Sequence, residues 1–252
     1  MKTNKETRYY SSFEDDFCTT RDQNMRLPDE YKRIKRDLPF RILSALTYGT
    51  ALVISRIYLT LSLHVTYKSK VKIDGGAFIY CNHTQPVGDV FIPAFAAFPK
   101  RIYTVVSPAN YAIPVIGKLL PYLGAIPIPS GIRDVRDFGD ALRTRTDEGH
   151  SVVIFPEAHV WEYCSFIRDF PDTSFRYPVK TSKPAYALTV TYKPRCFGRK
   201  PKTEVYLDGP FYAPDLGTER ERTSALRDSV LDTMKKRALT SASHIDYILK
   251  IT

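Results

Sequence analysis

The segment CNHTQPVGDV, residues 81–90, sets a histidine and an aspartate six residues apart around a proline and a glycine. His83 follows the apolar run AFIYC, which places it at the C-terminal end of a predicted strand, where α/β sheets tend to bind ligands. Imidazole titrates near neutral pH and serves as a general base when a partner, usually a carboxylate, holds its second ring nitrogen. Asp89 is the candidate partner, with Pro86-Val87-Gly88 folding the chain back. The competing reading is that Asp89 caps a helix starting near VFIPAFAAF. An isolated His/Asp pair in a turn leaves both open.

A second chemical segment is SVVIFPEAH, a buried-looking strand followed by Phe155-Pro156-Glu157. Glu157 and Pro156 are read as substrate-binding, the carboxylate gripping a hydroxyl. His64, His150, His159 and His244 show no ligand spacing with a cysteine or carboxylate, so no metal is expected. His159, Trp161 and Cys164 are assigned packing roles.

These residues need elements to hold them. From residue 71 short β-rich runs alternate with helical patterns. VKIDGGAFIYC reads as two strands or a strand pair around Gly75-Gly76. IYTVVS (102–107), GAIPI (124–128), SVVIFP (151–156), AYALTVTY (185–192) and TEVYLDG (203–209) read as strands. Residues 134–149 read as a helix with Val135, Phe138, Ala141 and Leu142 on one face and Gly149 past its end. Thr218 and Glu221 have capping-box spacing, ahead of a helix with Leu226, Val230, Leu231 and Met234 on one face. The alternation predicts an α/β fold, a mixed β-sheet flanked by helices, with an N-terminal apolar helical segment.

That segment, 29–66, contains RILSALTYGTALVISRIYLTLSLH, the most apolar stretch of the chain. Only fourteen residues separate Arg41 from Arg56, below the ~20 apolar residues of a membrane span. A span over 42–67 would set Arg56 near its middle, at a cost in lipid. Embedding, interfacial binding and packing on its own domain all remain readings. Residues 1–28 read as a polar, poorly regular arm, pinned by Tyr9, Tyr10, Phe13 and Phe17 or else free.

The 252 residues suffice for one large domain, and 43% hydrophobic content excludes a disordered chain. The net charge of +10 implies an anionic partner. Its excess concentrates in 173–203, with eight Lys/Arg and no acid, read as a solvated face or as a membrane- or phosphate-facing patch. No nucleic-acid partner is expected, because the chain carries no recognition-helix, zinc-finger or aromatic RNA-binding signature. The four cysteines form no CxxC pair, and MKTNKETRYY lacks an apolar signal core, so a reduced compartment is expected.

In order, NHTQPVGD, IPVIGKLLPYLGAIPI, DEGHSVVIFPEA and, more weakly, PVKTSKPAYALTVTYKP resemble the four sequence blocks of the glycerolipid (lysophospholipid) acyltransferases, over about 71–212. The resemblance implies acyl transfer from an acyl thioester, acyl-CoA or acyl-carrier protein, to a lysophospholipid or related acceptor. It also implies an acyltransferase α/β domain over 67–252, no cofactor, and attachment of 29–66 to the cytoplasmic face of an anionic membrane. His83 and Asp89 are then catalytic, and Glu157, Pro156, Gly124, Arg133 and Lys180 bind substrate. Backbone N–H groups of the His83 loop, or after Gly124, are expected to hold the oxyanion.

Three departures stand out. His83 and Asp89 are separated by five residues instead of four, which a Pro/Gly loop accommodates as a bulge. Ala158 replaces the usual glycine. The arginines that the family associates with the acceptor's phosphate are missing from the second and third blocks. Arg133, Arg136, Arg168, Arg176 or Lys180 are candidate substitutes, and an acceptor without a terminal phosphate is the alternative. A non-catalytic lipid-binding relative is the remaining reading.

Overall fold

The computed structural model describes residues 6–18, 25–28, 30–132, 134–195 and 200–250. In chain order the elements are β1 (Glu6–Tyr10), α1 (Leu38–Leu61), β2 (Val65–Tyr67), β3 (Ala77–Cys81), α2 (Ile92–Ala96), β4 (Ile102–Val106), α3 (Ile116–Leu123), β5 (Ala125–Pro127), α4 (Asp134–Asp147), β6 (Ser151–Ile154), α5 (Arg176–Thr181), β7 (Ala185–Lys193), β8 (Lys202–Phe211), α6 (Glu219–Ala238) and β9 (Ile245–Leu249). β2 to β8 form a mixed sheet of seven strands in the order β2-β8-β7-β3-β6-β4-β5. β8 runs antiparallel to β7, and the other pairs are parallel.

The central strands are apolar on both faces because both are covered. Along β3, Phe78 and Tyr80 pack with Phe138, Leu142, Leu226, Val230 and Met234 of α4 and α6. Ala77, Ile79 and Cys81 face the other way, toward Leu59 of α1 and Ile92 of α2. The period of two thus divides one strand between two cores. α6 starts on the predicted capping box, with Thr218 and Glu221 satisfying each other's backbone N–H groups.

α1 is shorter than the 29–66 expected. Asp37 caps it, accepting from the Phe40 N–H, and residues 65–67 pair with β8 as a strand. One face of α1 is turned inward through Ser44, Ser55 and Leu59. The other leaves Leu38, Ile42, Leu46, Val53, Ile57 and Leu61 exposed, a stripe at spacings of four and seven. At 24 residues, α1 is by length and composition apolar enough to cross a membrane.

Three more expectations are corrected. VKIDGGAFIYC contributes one strand, β3. Its first half must carry the chain from edge strand β2 to central β3, so it runs as a connection and buries Ile73 on the way. The arm, read as irregular, contains β1, which pairs in parallel with β9 near the other end of the chain. Tyr10, Phe13 and Phe17 pack around the fully buried Trp161, with ring centroids 4.8, 6.2 and 5.2 Å away; Tyr9 is exposed. The basic stretch 173–203 does not form one patch, because β7 separates Arg176, Lys180 and Lys183 from Lys193 and Lys202 by about 30 Å of strand. Of the cysteines, Cys18, Cys81 and Cys164 are free thiols, and Cys196 lies outside the described residues.

Candidate active site

β3 ends at Cys81, and the next residue closes it off. Asn82 lends its side chain to β7 as a surrogate backbone, donating to Val190 O (3.0 Å) and accepting from Val190 N (2.8 Å). The chain then turns through 83–89, with Pro86 and Val87 exposed at the tip. Gly88 adopts φ +114°, and a Cβ there would lie 3.2 Å from Leu63 and 3.3 Å from Tyr58 of α1, so the loop backbone rests on that helix.

This turn brings the two candidate residues together. His83 Nδ1 lies 2.8 Å from Asp89 Oδ2. The same oxygen accepts the Thr84 and Gln85 N–H groups at 2.7 and 2.9 Å. An oxygen that collects two N–H donors takes a third from the imidazole, which puts the ring proton on Nδ1 and leaves Nε2 as a base. Nε2 makes no hydrogen bond among the described residues, the His83 side chain is 20% exposed, and its ring stacks on Phe155 at 4.4 Å. Asp89 is 3% exposed. It does not cap α2, whose N-cap is Phe91 with no side-chain cap bond. The fifth intervening residue is absorbed at the exposed tip, as a bulging loop allows.

A buried network braces the turn. Tyr192 donates to Thr84 Oγ1 (2.7 Å) and accepts from Gln85 Nε2 (2.8 Å). Burial, and next the Asp89 charge, push its phenol well above the ordinary value, so it stays a donor. The same two causes push up the neighbouring Cys81 thiol, which keeps it unreactive.

Glu157 sits beside this loop but faces inward. Its Oε2 accepts the His83 N–H at 3.0 Å and Arg168 Nη2 at 2.9 Å, and its Oε1 accepts the Arg168 N–H at 3.0 Å. Both side chains are 1% exposed. Glu157 therefore fixes the backbone that carries the imidazole, in place of the expected grip on a substrate hydroxyl. Arg168 is closed off from solvent, bonds Glu157 and stacks 4.6 Å from the Trp161 ring, so it is not free to meet a phosphate. Trp161 N–H donates to His83 O, and its indole donates to Asp15 O in the arm. The arm, the 157–168 loop and the His83 turn thus form one connected body. Ala158, in the position of the family's glycine, has φ +61°, keeping the left-handed backbone that glycine would adopt at lower cost.

The remaining candidates lie elsewhere. Pro156 is half-buried next to Glu157. Gly124 ends α3 with φ +89° and precedes β5, and Lys180 precedes β7 and pairs with Glu219. Both therefore fall at the N-terminal ends of strands parallel to β3, across the sheet from His83. Arg133 lies outside the described residues. Of the backbone N–H groups in the His83 loop expected to hold an oxyanion, those of residues 83–85 are occupied by Glu157 and Asp89. Tyr192 was not visible as part of this site from local pattern, and Arg168, read as a candidate phosphate binder, serves Glu157 instead.

The family model described as Acyltransferase matches residues 62–193, just over half of the chain. No curated protein sequence matches significantly. Among solved structures, the chain is similar to the 1-acyl-sn-glycerophosphate (LPA) acyltransferase PlsC of Thermotoga maritima, with a TM-score of 0.52 and 16% identity over 82% of this chain and 98% of that one. At that identity the likeness concerns the fold.

Proposed function

The chain belongs to the acyltransferase family, and from that membership we propose that it moves a fatty acyl chain from an acyl thioester to a hydroxyl of a lysophospholipid or related lipid acceptor. The observation that carries the reading is the His83–Asp89 bond of 2.8 Å with Nε2 left unengaged. Nε2 takes the acceptor's hydroxyl proton as its oxygen attacks the thioester carbonyl carbon. Asp89 holds the tautomer and stabilises the imidazolium that forms. When the carbon–sulfur bond breaks, the imidazolium returns the proton to the departing thiolate. The acyl group passes directly to the acceptor, with no covalent enzyme intermediate.

The lipid acceptor also accounts for α1. Besides its exposed stripe, Val87 and Val90 beside the site and Ile116 and Leu119 on α3 are exposed. In this reading these residues enter the membrane interface, where apolar burial and basic side chains act together.

Arg168 is spent on Glu157, which favours a second reading of the acceptor as one without a terminal phosphate. The test is acyl transfer from labelled acyl-CoA, and then acyl-carrier protein, to lysophosphatidic acid, glycerol-3-phosphate, other lysophospholipids, and non-phosphorylated hydroxyl lipids. Product with any of them supports the proposal, and the acceptor used separates the two readings. A chain that transfers to none of them from either donor would be the non-catalytic lipid binder.

A further inference from the structure

The sheet has a cavity at the end opposite His83. It measures about 670 Å³ and lies between the first turns of α1 and the N-terminal ends of β4, β5 and β6. Its floor is an aromatic–cation stack. The guanidiniums of Arg101 and Arg145 lie 5.2 and 4.3 Å from the ring of Tyr103, and Arg101 also stacks 4.6 Å from Tyr48. Lys32, Arg36 and Arg41 line the walls.

The charges there do not balance. Arg145 bonds Glu148 at 2.8 Å, and Arg36 approaches the same carboxylate at 4.0 Å. Arg101 meets no carboxylate among the described residues. One of its nitrogens, Nη2, donates to Ser44 Oγ and Tyr122 O, both at 2.7 Å. The Nε atoms of both Arg101 and Arg145 are buried without a hydrogen-bond partner. Bracing the C-terminal end of α3 explains Arg101 Nη2, but not the other donors or the additional cations. Two guanidiniums on one ring repel each other, and an unmatched buried donor is costly. An anion in the cavity relieves the repulsion, and a phosphate offers the oxygens that guanidinium forks match. We propose that this cavity binds a phosphate-bearing anion, a lipid headgroup or a soluble phosphoester, at a site separate from His83.

His150 reports on it. Its imidazole is held below the ordinary value, first by burial and then, among other charges, by Arg145 and Arg101. An anion between them would raise it again.

The experiment titrates the full chain with inorganic phosphate, following the His150 resonances by NMR. It then measures binding to phosphatidylcholine vesicles with and without phosphatidic acid. Phosphate should bind saturably and raise the His150 pKa. Lys32 and Arg36 are exposed, so the double variant Lys32→Gln/Arg36→Gln should fold and bind about ten-fold more weakly, on the order of one charge-assisted contact. Arg101→Gln should not bind, and His83→Ala should bind as the wild type does. If Arg101→Gln fails to fold, the double variant decides. Phosphate that displaces the chain from phosphatidic acid vesicles assigns a headgroup, and phosphate binding without displacement assigns a soluble phosphoester. Absence of saturation, equal affinity in the double variant, or loss of binding in His83→Ala would overturn the proposal.

Discussion

The two ends of the sheet treat charge differently. At the C-terminal end, His83 meets Asp89 and Arg168 meets Glu157, each pair held by backbone N–H groups as well. At the N-terminal end, Arg101 and Arg145 share a tyrosine ring, and a single carboxylate, Glu148, serves Arg145 and Arg36. Paired charges inside a protein position groups, and here they leave the His83 Nε2 turned to react. Unmatched charges along a cavity leave binding capacity unused.

The difference can be broken first at the reactive end. Asp89→Asn keeps the shape but cannot enforce the tautomer, so kcat should fall about 10²–10⁴-fold, measured as steady-state acyl transfer. Removing the neighbouring match should cost stability. Arg168→Leu strands Glu157 in a buried site and should lower unfolding free energy by about 3–5 kcal/mol, read from urea denaturation. If Arg168 were only a surface cation, the midpoint would not move.

The other end should show itself through pH. His150 is held below the ordinary imidazole value. Below about pH 6.5 the unfolded chain therefore takes up a proton that the folded chain refuses, and stability falls as pH drops toward the lower folded value. His150→Gln should flatten that part of the stability–pH curve, measured by thermal unfolding between neutral and mildly acidic pH. The smallest effect concerns Ala158, which holds φ +61°. Ala158→Gly should relieve strain and raise stability by about 1 kcal/mol, with acyl transfer unchanged.

Much of this arrangement was legible in the sequence where the signal is local. The runs at 102–107, 151–156 and 185–192 became β4, β6 and β7, because strands in the middle of a covered sheet are rich in apolar and β-branched residues. The His83–Asp89 geometry followed from a Pro/Gly turn at the end of such a run. The β1–β9 pairing was not legible, since it joins segments more than two hundred residues apart, one of them the polar ETRYY. Glu157 shows another limit. A carboxylate after a strand looks the same whether it turns outward to a ligand or inward to an arginine, and its partner Arg168 sits eleven residues on in an irregular loop. Gly124 and Lys180 were placed with the site by their sequence blocks, but strand direction sends them to the opposite end of the sheet. The cavity around Arg101 gathers residues from five separate stretches, so no local pattern announces it.

In the proposed function the His83–Asp89 pair performs acyl transfer. The most direct test compares the acyl-transfer rate of His83→Ala with that of the wild type, on the acceptor the wild type prefers, after matching their unfolding midpoints. The variant should retain its fold and lose activity by about 10²-fold or more. A folded variant that transfers acyl groups at the wild-type rate would contradict it.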